Sequence, residues 1–119
     1  YGQQVGDLVL QAFASVLAES VRHDVDWVAR YGGEEFVVVL PATDLTGAAT
    51  LAEKLRRLVE HSELRAGETL LRITASFGVA TLPGNWPSES SPAWLIERAD
   101  LCLYRSKQEG RNRVTSAEA

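Results

Sequence analysis

Two adjacent glycines, Gly32 and Gly33, separate two short runs of β-branched and aromatic residues at positions 27–31 and 36–40. Glycine tolerates the positive φ angles that a two-residue hairpin turn requires, and both runs have the composition of strands. The pattern therefore predicts a β-hairpin with Gly32-Gly33 as its turn. The second run is apolar on both faces, which predicts a strand in the interior of a sheet that is covered on each side.

Three further segments have helical periodicity. Apolar residues recur three and four positions apart over residues 5–21, 48–59 and 95–103. Asp44 is placed to cap the second helix, Ser91-Pro92 is typical of a helix start, and Gly110 is typical of a helix end. The sequence therefore predicts helices on both sides of the hairpin and near the end of the chain.

The second half of the chain contains two more strand signals. Strict alternation of apolar and polar residues predicts a strand over residues 71–81, and proline, glycine and serine predict a loop over 82–91. A short last strand is predicted at 112–114, with a frayed tail after Thr115.

Composition narrows the class of protein. The 119 residues are 45% hydrophobic and 24% charged, which suits one globular domain. The net charge of −4 provides no basic surface for a polyphosphate backbone, so we expect no nucleic-acid partner. A single cysteine excludes an internal disulfide, and no apolar run approaches the roughly 20 residues of a membrane span. Both features lead us to expect a cytoplasmic domain without direct membrane contact, even if the parent protein is membrane-anchored. Because the chain starts at Tyr1 and contains no methionine, we also expect it to be a piece of a longer protein.

The hairpin is the first candidate functional segment, because Glu34 and Glu35 directly follow the two glycines. One interpretation is structural, since Gly-Gly turns are common and charges beside a turn favour solubility. The other is that glycines without Cβ let a phosphate or ribose approach the backbone, while the carboxylates supply oxygen ligands to a divalent cation. Side chains alternate across a strand, so Glu34 and Glu35 are predicted to point to opposite faces.

The second candidate segment surrounds Gly110. Lys107 and Arg111 lie on either side of this predicted helix end. Basic residues in a last helical turn are favoured by the helix dipole, which alone accounts for their presence. The alternative explanation is that the ammonium of Lys107 and the forked guanidinium of Arg111 bind the same anion. Together with a carboxylate-bound cation, such a pair suits a nucleoside triphosphate.

Four segments resemble the GGDEF family of diguanylate cyclases. Residues 31–36 read as a GGEEF form of its signature, residues 2–7 resemble its GHxxGD segment, residues 73–80 its central strand, and residues 99–112 its closing helix. The order and spacing of the segments are family-like and cover essentially the whole chain. The resemblance implies one domain over residues 1–119, with an α/β, palm-like nucleotidyl cyclase fold: a mainly antiparallel central sheet covered by helices, whose first strand is missing from this chain.

The resemblance also implies an activity, the condensation of two GTP molecules into cyclic di-GMP for bacterial second-messenger signalling. By this resemblance Gly32 and Gly33 lie against the nucleotide, Glu34 binds Mg²⁺ or Mn²⁺ and is a candidate base, and Glu35 supports the same site. Because the product contains the same bond twice, we expect a homodimer in which each domain presents one GTP. An upstream sensor or regulatory domain is a further expected partner.

Three more residues take roles from the family pattern. Asp7 matches the acidic residue that binds the guanine edge, and Lys107 and Arg111 match the pair that holds the terminal phosphates. For Asp7 the alternatives are a charge favoured by the helix dipole or plain solvation. Gln3 stands where the family usually has histidine, a difference that we expect to matter little.

The start of the chain departs from the family. The sequence begins after the strand that carries a metal-binding Asp and after an Asn that reads guanine, so it supplies half of a metal site. We therefore expect the 119 residues alone to be inactive, although the parent protein is expected to be a cyclase. The competing hypothesis is a non-catalytic module that binds GTP or cyclic di-GMP and regulates a partner.

The product-inhibition motif of the family is degenerate here. Asp26 stands at the family position, but His23 stands three residues earlier, and Arg22 is four residues back. Lys54 occupies a position where the family often supplies another arginine. A neutral imidazole lacks the permanent charge and the fork of a guanidinium, so we expect weak allosteric product feedback. The favoured alternative is that Arg22, His23 and Asp24 form a solvated helix-to-strand connection.

Overall fold

The computed structural model describes residues 3–82 and 92–118, and within these ranges it contains three helices and six strands. The helices are α1 (Gln3–Ser20), α2 (Leu45–Glu60) and α3 (Pro92–Gln108). The strands are β1 (Trp27–Gly32), β2 (Glu35–Val39), β3 (Leu64–Ala66), β4 (Thr69–Leu71), β5 (Phe77–Thr81) and β6 (Val114–Glu118). The predicted α/β class is confirmed. Of the loop predicted over residues 82–91, residues 83–91 lie outside the described residues.

The chain divides into two compact units, Tyr1–Ala42 with Leu58–Ile73 and Thr43–Arg57 with Thr74–Ala119. In the first unit, β1 pairs with β2 and β3 pairs with β4, both antiparallel. In the second unit, β5 and β6 are parallel, and α3 forms the crossover connection that parallel strands require. Two of the three ladders are therefore antiparallel, in line with the predicted fold.

The three helix boundaries that the sequence marked are observed, and for α3 the helix begins at Pro92 as predicted. The backbone N–H of Gly47 donates to Asp44 Oδ1 at 2.8 Å, so Asp44 caps α2 as predicted. After α3, Gly110 has a φ of 124°, a conformation that glycine adopts readily and other residues do not. These signals are local in sequence, which is why they could be recognised without the structure.

The predicted interior position of the second hairpin strand is wrong. β2 pairs with β1 in a two-stranded ladder, Phe36, Val37 and Val38 are half-buried, and Val39 is exposed. The ring of Phe36 lies 5.4 Å from that of Phe13 on α1. A run of apolar residues shows that both faces of a strand are apolar, but it does not show that two layers cover them.

Two other strand predictions also differ from the structure. The strand predicted over residues 71–81 is divided, because β4 ends at Leu71, where it pairs with β3, while β5 begins at Phe77, where it pairs with β6. The predicted short strand at 112–114 and frayed tail are replaced by β6, which extends to Glu118 opposite Thr81. Alternation determines which face a side chain occupies, but the length of a strand depends on its distant partner.

Each unit has its own set of buried apolar side chains. In the first unit these are Leu17, Val59, Leu64 and Leu71, and in the second they are Ala52, Leu55 and Cys102. Within the described ranges, every helix is too short or too polar to cross a lipid bilayer.

Helix α3 packs very closely on β5 at Gly78. A Cβ built on Gly78 would collide with the carbonyl oxygen of Ala99 and the backbone nitrogen of Leu103. Backbone atoms of a helix cannot move aside as a flexible side chain can, so this position accepts only glycine. The glycine in the middle of the alternating segment therefore marks a close helix–strand contact.

We expect Gly78→Ala to lower the free energy of unfolding by about 3 kcal/mol, because the added methyl group must displace α3 from β5. The matched control is Gly6→Ala on α1, where no described atom lies within 4 Å of the added Cβ. Gly6→Ala should leave stability unchanged or raise it by about 0.5–1 kcal/mol, since alanine is the better helix former. Urea unfolding of both variants measures the difference. Equal midpoints would contradict the close contact.

Candidate active site

The turn of the signature hairpin is Gly33-Glu34, so the predicted Gly32-Gly33 turn is wrong by one residue. Gly32 pairs with Glu35, and Gly33 has a φ of 50°. The shift arises because the register changes between Arg30 and Gly32, which leaves Tyr31 as an extra residue on β1. A bulge of this kind depends on pairing across the hairpin and has no local sequence signal.

The side chain of Arg30 binds the backbone of this turn. Its Nε and Nη2 donate to the carbonyl oxygen of Gly33 at 2.9 and 2.6 Å. The forked guanidinium thereby fixes the peptide that leads into Glu34. Arg30 was not among the predicted site residues. The sequence did contain a signal for this contact, because an arginine with a forked side chain stands three residues before Gly33.

The two carboxylates of the signature are both exposed but differ in position. Glu34 lies in the turn, and Glu35 is the first residue of β2. The predicted alternation to opposite faces does not apply, because Glu34 is not a strand residue. Across residues 3–82 and 92–118, no three His, Cys, Asp or Glu side chains lie together as a metal site. Mg²⁺ in nucleotide sites often takes one or two carboxylates and completes its shell with phosphate oxygens and water, so Glu34 fits as one such ligand.

Asp7 lies on α1 with its side chain exposed. The helix begins at Gln3 and has no acidic residue in its first turn, so Asp7 is in the second turn. Stabilisation by the helix dipole falls off within the first turn, which weakens the dipole explanation for this carboxylate. Solvation and ligand binding remain as the two explanations for Asp7.

The end of α3 presents the two predicted phosphate ligands. Lys107 lies in the last turn, Arg111 follows Gly110, and both side chains are exposed. The Arg111 N–H donates to the carbonyl oxygen of Ser106 at 2.9 Å, which closes the helix end with a bond of the Schellman type. Lys107 and Arg111 belong to the second unit, whereas Asp7 and the signature hairpin belong to the first.

The residues of the degenerate feedback motif bind each other. Arg22 donates from Nε and Nη2 to the carboxylate of Asp26, at 2.8 Å for the shortest contact, and its backbone N–H donates to Asp26 Oδ2 at 2.7 Å. Arg22 Nη2 also donates to the carbonyl oxygen of Pro41 at 2.9 Å. The Asp26 side chain is only 2% exposed, and the hydrogen bonds from Arg22 lower its pKa below the ordinary value. Four positions apart along the chain, Arg22 and Asp26 therefore form an ion pair with each other.

Lys54, the third residue assigned to feedback, is exposed on α2 in the second unit. It lines a surface groove of about 710 Å³ together with Glu53, Arg57 and Ser116. The feedback residues are therefore divided between the two units, as the site residues are.

A cluster that the sequence analysis missed surrounds Glu53. Arg56 donates to both carboxylate oxygens at 2.7 Å, and Arg57 Nε donates at 3.0 Å. The hydrogen bonds from Arg56, followed by those from Arg57, lower the pKa of Glu53 from 4.5 to about 2. Arg56 Nη1 also donates to Asn112 Oδ1 at 3.1 Å. The i,i+3 and i,i+4 spacings were available signals for the ion pairs, but the bond to Asn112 spans 56 positions and was not predictable.

Comparison with known sequences identifies the family. The family described as diguanylate cyclase, GGDEF domain, matches residues 1–113. Diguanylate cyclase A of Treponema denticola is 42% identical over 115 residues, which cover 97% of this chain and 30% of that protein. Response regulator PleD of Caulobacter vibrioides is 40% identical over 121 residues, which cover 100% of this chain and 26% of that protein. The chain belongs to the GGDEF domain family, and it spans less than a third of the length of these relatives.

Solved structures agree with the sequence comparison. The GGDEF domain of DgcB from Caulobacter crescentus, in complex with c-di-GMP, has a TM-score of 0.81 and 36% identity, covering 98% of this chain and 67% of that chain. The active GGEEF domain of a diguanylate cyclase from Vibrio cholerae has a TM-score of 0.76 and 27% identity, covering 98% and 70%. The predicted family and palm-like fold are confirmed.

The Glu53 cluster makes stability depend on pH. Because the folded protein lowers the pKa of Glu53 from 4.5 to about 2, the cluster's contribution is fully present above pH 4.5 and is lost as the pH falls toward 2. Glu53→Gln removes the titrating group, so its urea midpoint should fall less than that of the wild type across this window. Glu19→Gln, at an exposed position on α1, is the control and should retain the wild-type pH dependence. Parallel curves for the wild type and Glu53→Gln would contradict the assignment.

Proposed function

We propose that this chain is the catalytic domain of a diguanylate cyclase, which converts two GTP molecules into one cyclic di-GMP and two pyrophosphates. The observation that carries the proposal is the exposed Gly33-Glu34 turn of an intact Gly-Gly-Glu-Glu-Phe signature, which runs from Gly32 to Phe36. Membership of the GGDEF family supports it. So does the likeness to an active GGEEF domain, since that domain is active with glutamate in its signature.

The hairpin is proposed to receive the reacting phosphates. No described atom lies within 4 Å of a Cβ built on Gly32 or Gly33, so a nucleotide has room to approach this backbone. Glu34 holds the cation, and Glu35 supports the same site. When bound, Mg²⁺ neutralises phosphate charge and favours the deprotonated 3′-hydroxyl. The 3′-hydroxyl of each GTP loses its proton to a base, for which Glu34 is the candidate. Its oxygen then forms a bond to the α-phosphorus of the other GTP as the bond from that phosphorus to the pyrophosphate oxygen breaks.

The remaining site residues are proposed to bind and orient GTP. Lys107 and Arg111 bind the terminal phosphates, which leave as pyrophosphate, and Asp7 accepts hydrogen bonds from the guanine edge. Positioning and electrostatic stabilisation provide most of the catalysis in phosphoryl-group chemistry of this kind. An exposed ammonium and an exposed guanidinium suit this role because the first offers a compact point charge and the second a planar fork of donors to phosphate oxygens.

Assembly and regulation form the last part of the proposal. Each product molecule contains two equivalent bonds, so two domains related by a two-fold axis are expected to present one GTP each. The curated relatives are more than three times as long as the matched segment, and one of them is named a response regulator. We therefore propose that a regulatory domain controls dimerisation of this cytoplasmic domain. Absence of activity in the 119 residues alone stays a prediction.

Glu34→Gln in the full-length protein should lower turnover of GTP by at least about 10²-fold, because it removes the charge that holds the cation. The chain offers a matched control in the β3–β4 hairpin, whose turn Gly67-Glu68 also places a glutamate after a glycine with positive φ. Glu68→Gln should therefore retain normal turnover. Cyclic di-GMP is quantified by chromatography with GTP and Mg²⁺ present.

Two outcomes of this comparison would contradict the assignment. Near-normal turnover by Glu34→Gln would show that this carboxylate is not the cation ligand. A wild-type protein that binds GTP but forms no product would instead favour the regulatory module.

Cyclic di-GMP should bind the full-length protein at its feedback motif only weakly, with a Kd above about 1 μM. Arg22 and Asp26 already satisfy each other, so a ligand must break their bonds before it can use them. Calorimetric titration of the wild type, Arg22→Ala and the exposed control Arg65→Ala should give the same weak affinity. Submicromolar binding that disappears only in Arg22→Ala would show that the shifted arginine forms a working site.

A further inference from the structure

The turn after α3 contains three consecutive residues with positive φ. The angles are 124° at Gly110, 64° at Arg111 and 46° at Asn112. Glycine adopts such angles freely and asparagine tolerates them, but for arginine the left-handed conformation is unfavourable. The surrounding structure must therefore stabilise Arg111 in this conformation.

The first anchor of the turn is Ser106. Its side chain is completely buried, and its Oγ donates to the carbonyl oxygen of Phe77 at 2.7 Å and lies 2.7 Å from Thr115 Oγ1. Its own carbonyl oxygen accepts the N–H of Arg111. Ser106 thus connects the last turn of α3, β5 and β6, and it fixes where the turn begins and where the chain resumes as a strand.

The second anchor is Asn112, which is bound on two sides. Its N–H donates to Ser76 Oγ at 3.2 Å, and its Oδ1 accepts from Arg56 Nη1 at 3.1 Å. The guanidinium of Arg56 is in turn oriented by its two hydrogen bonds to Glu53. Asn112 is half-buried, whereas the neighbouring Arg111 is exposed. The structure therefore orders the residue beside Arg111 and leaves the arginine side chain accessible.

We infer that Asn112 is a positioning residue for phosphate binding. The hydrogen bond between its carboxamide oxygen and Arg56 fixes the backbone conformation at Arg111. The backbone conformation in turn sets the direction in which the Arg111 side chain leaves the turn. The inference rests on the proposed function, in which Arg111 binds the terminal phosphates of GTP. Asparagine suits the position because it combines tolerance of a positive φ with an oxygen that reaches Arg56.

Steady-state kinetics of the full-length protein with GTP and Mg²⁺ test the inference. Asn112→Gly permits the same φ but removes the oxygen, and Arg56→Met removes the donor without altering the turn residues. Each should raise the KM for GTP about tenfold and change kcat less than about twofold, because a ground-state phosphate contact is weakened. The KM of the double variant should be no higher than that of the worse single variant, since both substitutions remove the same hydrogen bond between Arg56 and Asn112.

The matched control is Asp24→Gly, which replaces another polar residue with a positive φ of 66° in the turn before β1. It should leave KM unchanged, which would show that a glycine in place of a polar residue with positive φ does not by itself weaken GTP binding. Arg111→Ala is measured in parallel and should raise KM at least as much as Asn112→Gly.

The outcomes distinguish the positioning role of Asn112 from the phosphate-binding role of Arg111. A raised KM in Arg111→Ala with a normal KM in both Asn112→Gly and Arg56→Met would overturn the positioning role and leave the phosphate assignment intact. A normal KM in Arg111→Ala would overturn the phosphate assignment itself. If Asn112→Gly lowered both kcat and the unfolding midpoint, and Arg56→Met left KM unchanged, the role of Asn112 would be merely structural.

Discussion

The close approach of α3 to β5 at Gly78 determines the geometry of the second unit. Backbone atoms of Ala99 and Leu103 occupy the space that any side chain at position 78 would need. Because a helix is stiff, the contact also fixes its far end, where Lys107 and the turn with Arg111 lie. The parallel pairing of β5 with β6 continues from the same end, since the Phe77 N–H donates to the carbonyl oxygen of Arg113 at 2.9 Å. A single missing Cβ therefore allows the packing on which the proposed phosphate ligands depend.

Local signals in the sequence predicted the parts of the fold that depend on neighbouring residues. The cap at Asp44 and the helix end at Gly110 are examples, because a hydrogen bond or a φ angle within one turn decides each. Strand lengths and the hairpin register were not predictable in this way. The bulge at Tyr31 and the extension of β6 to Glu118 both depend on which residues of a distant strand lie opposite.

The candidate site shows the same division between local and distant information. The resemblance to the GGDEF family indicated Glu34 and Arg111, and the structure shows both side chains exposed, one in a hairpin turn and one after a helix. The groups that hold these segments were missed. The bond between Arg56 and Asn112 joins residues far apart in sequence and has no local signal. The pairing of Arg22 with Asp26 joins residues only four positions apart in the turn after α1, so it was within reach of sequence analysis.

The central claim is that the full-length protein joins two GTP molecules rather than merely binding them. The most direct test is to incubate the full-length protein with GTP and Mg²⁺, separate the nucleotides by chromatography and measure the released pyrophosphate. The account predicts one cyclic di-GMP and two pyrophosphates for every two GTP molecules consumed. Saturable GTP binding with neither product formed, under conditions in which a known diguanylate cyclase is active, would contradict it.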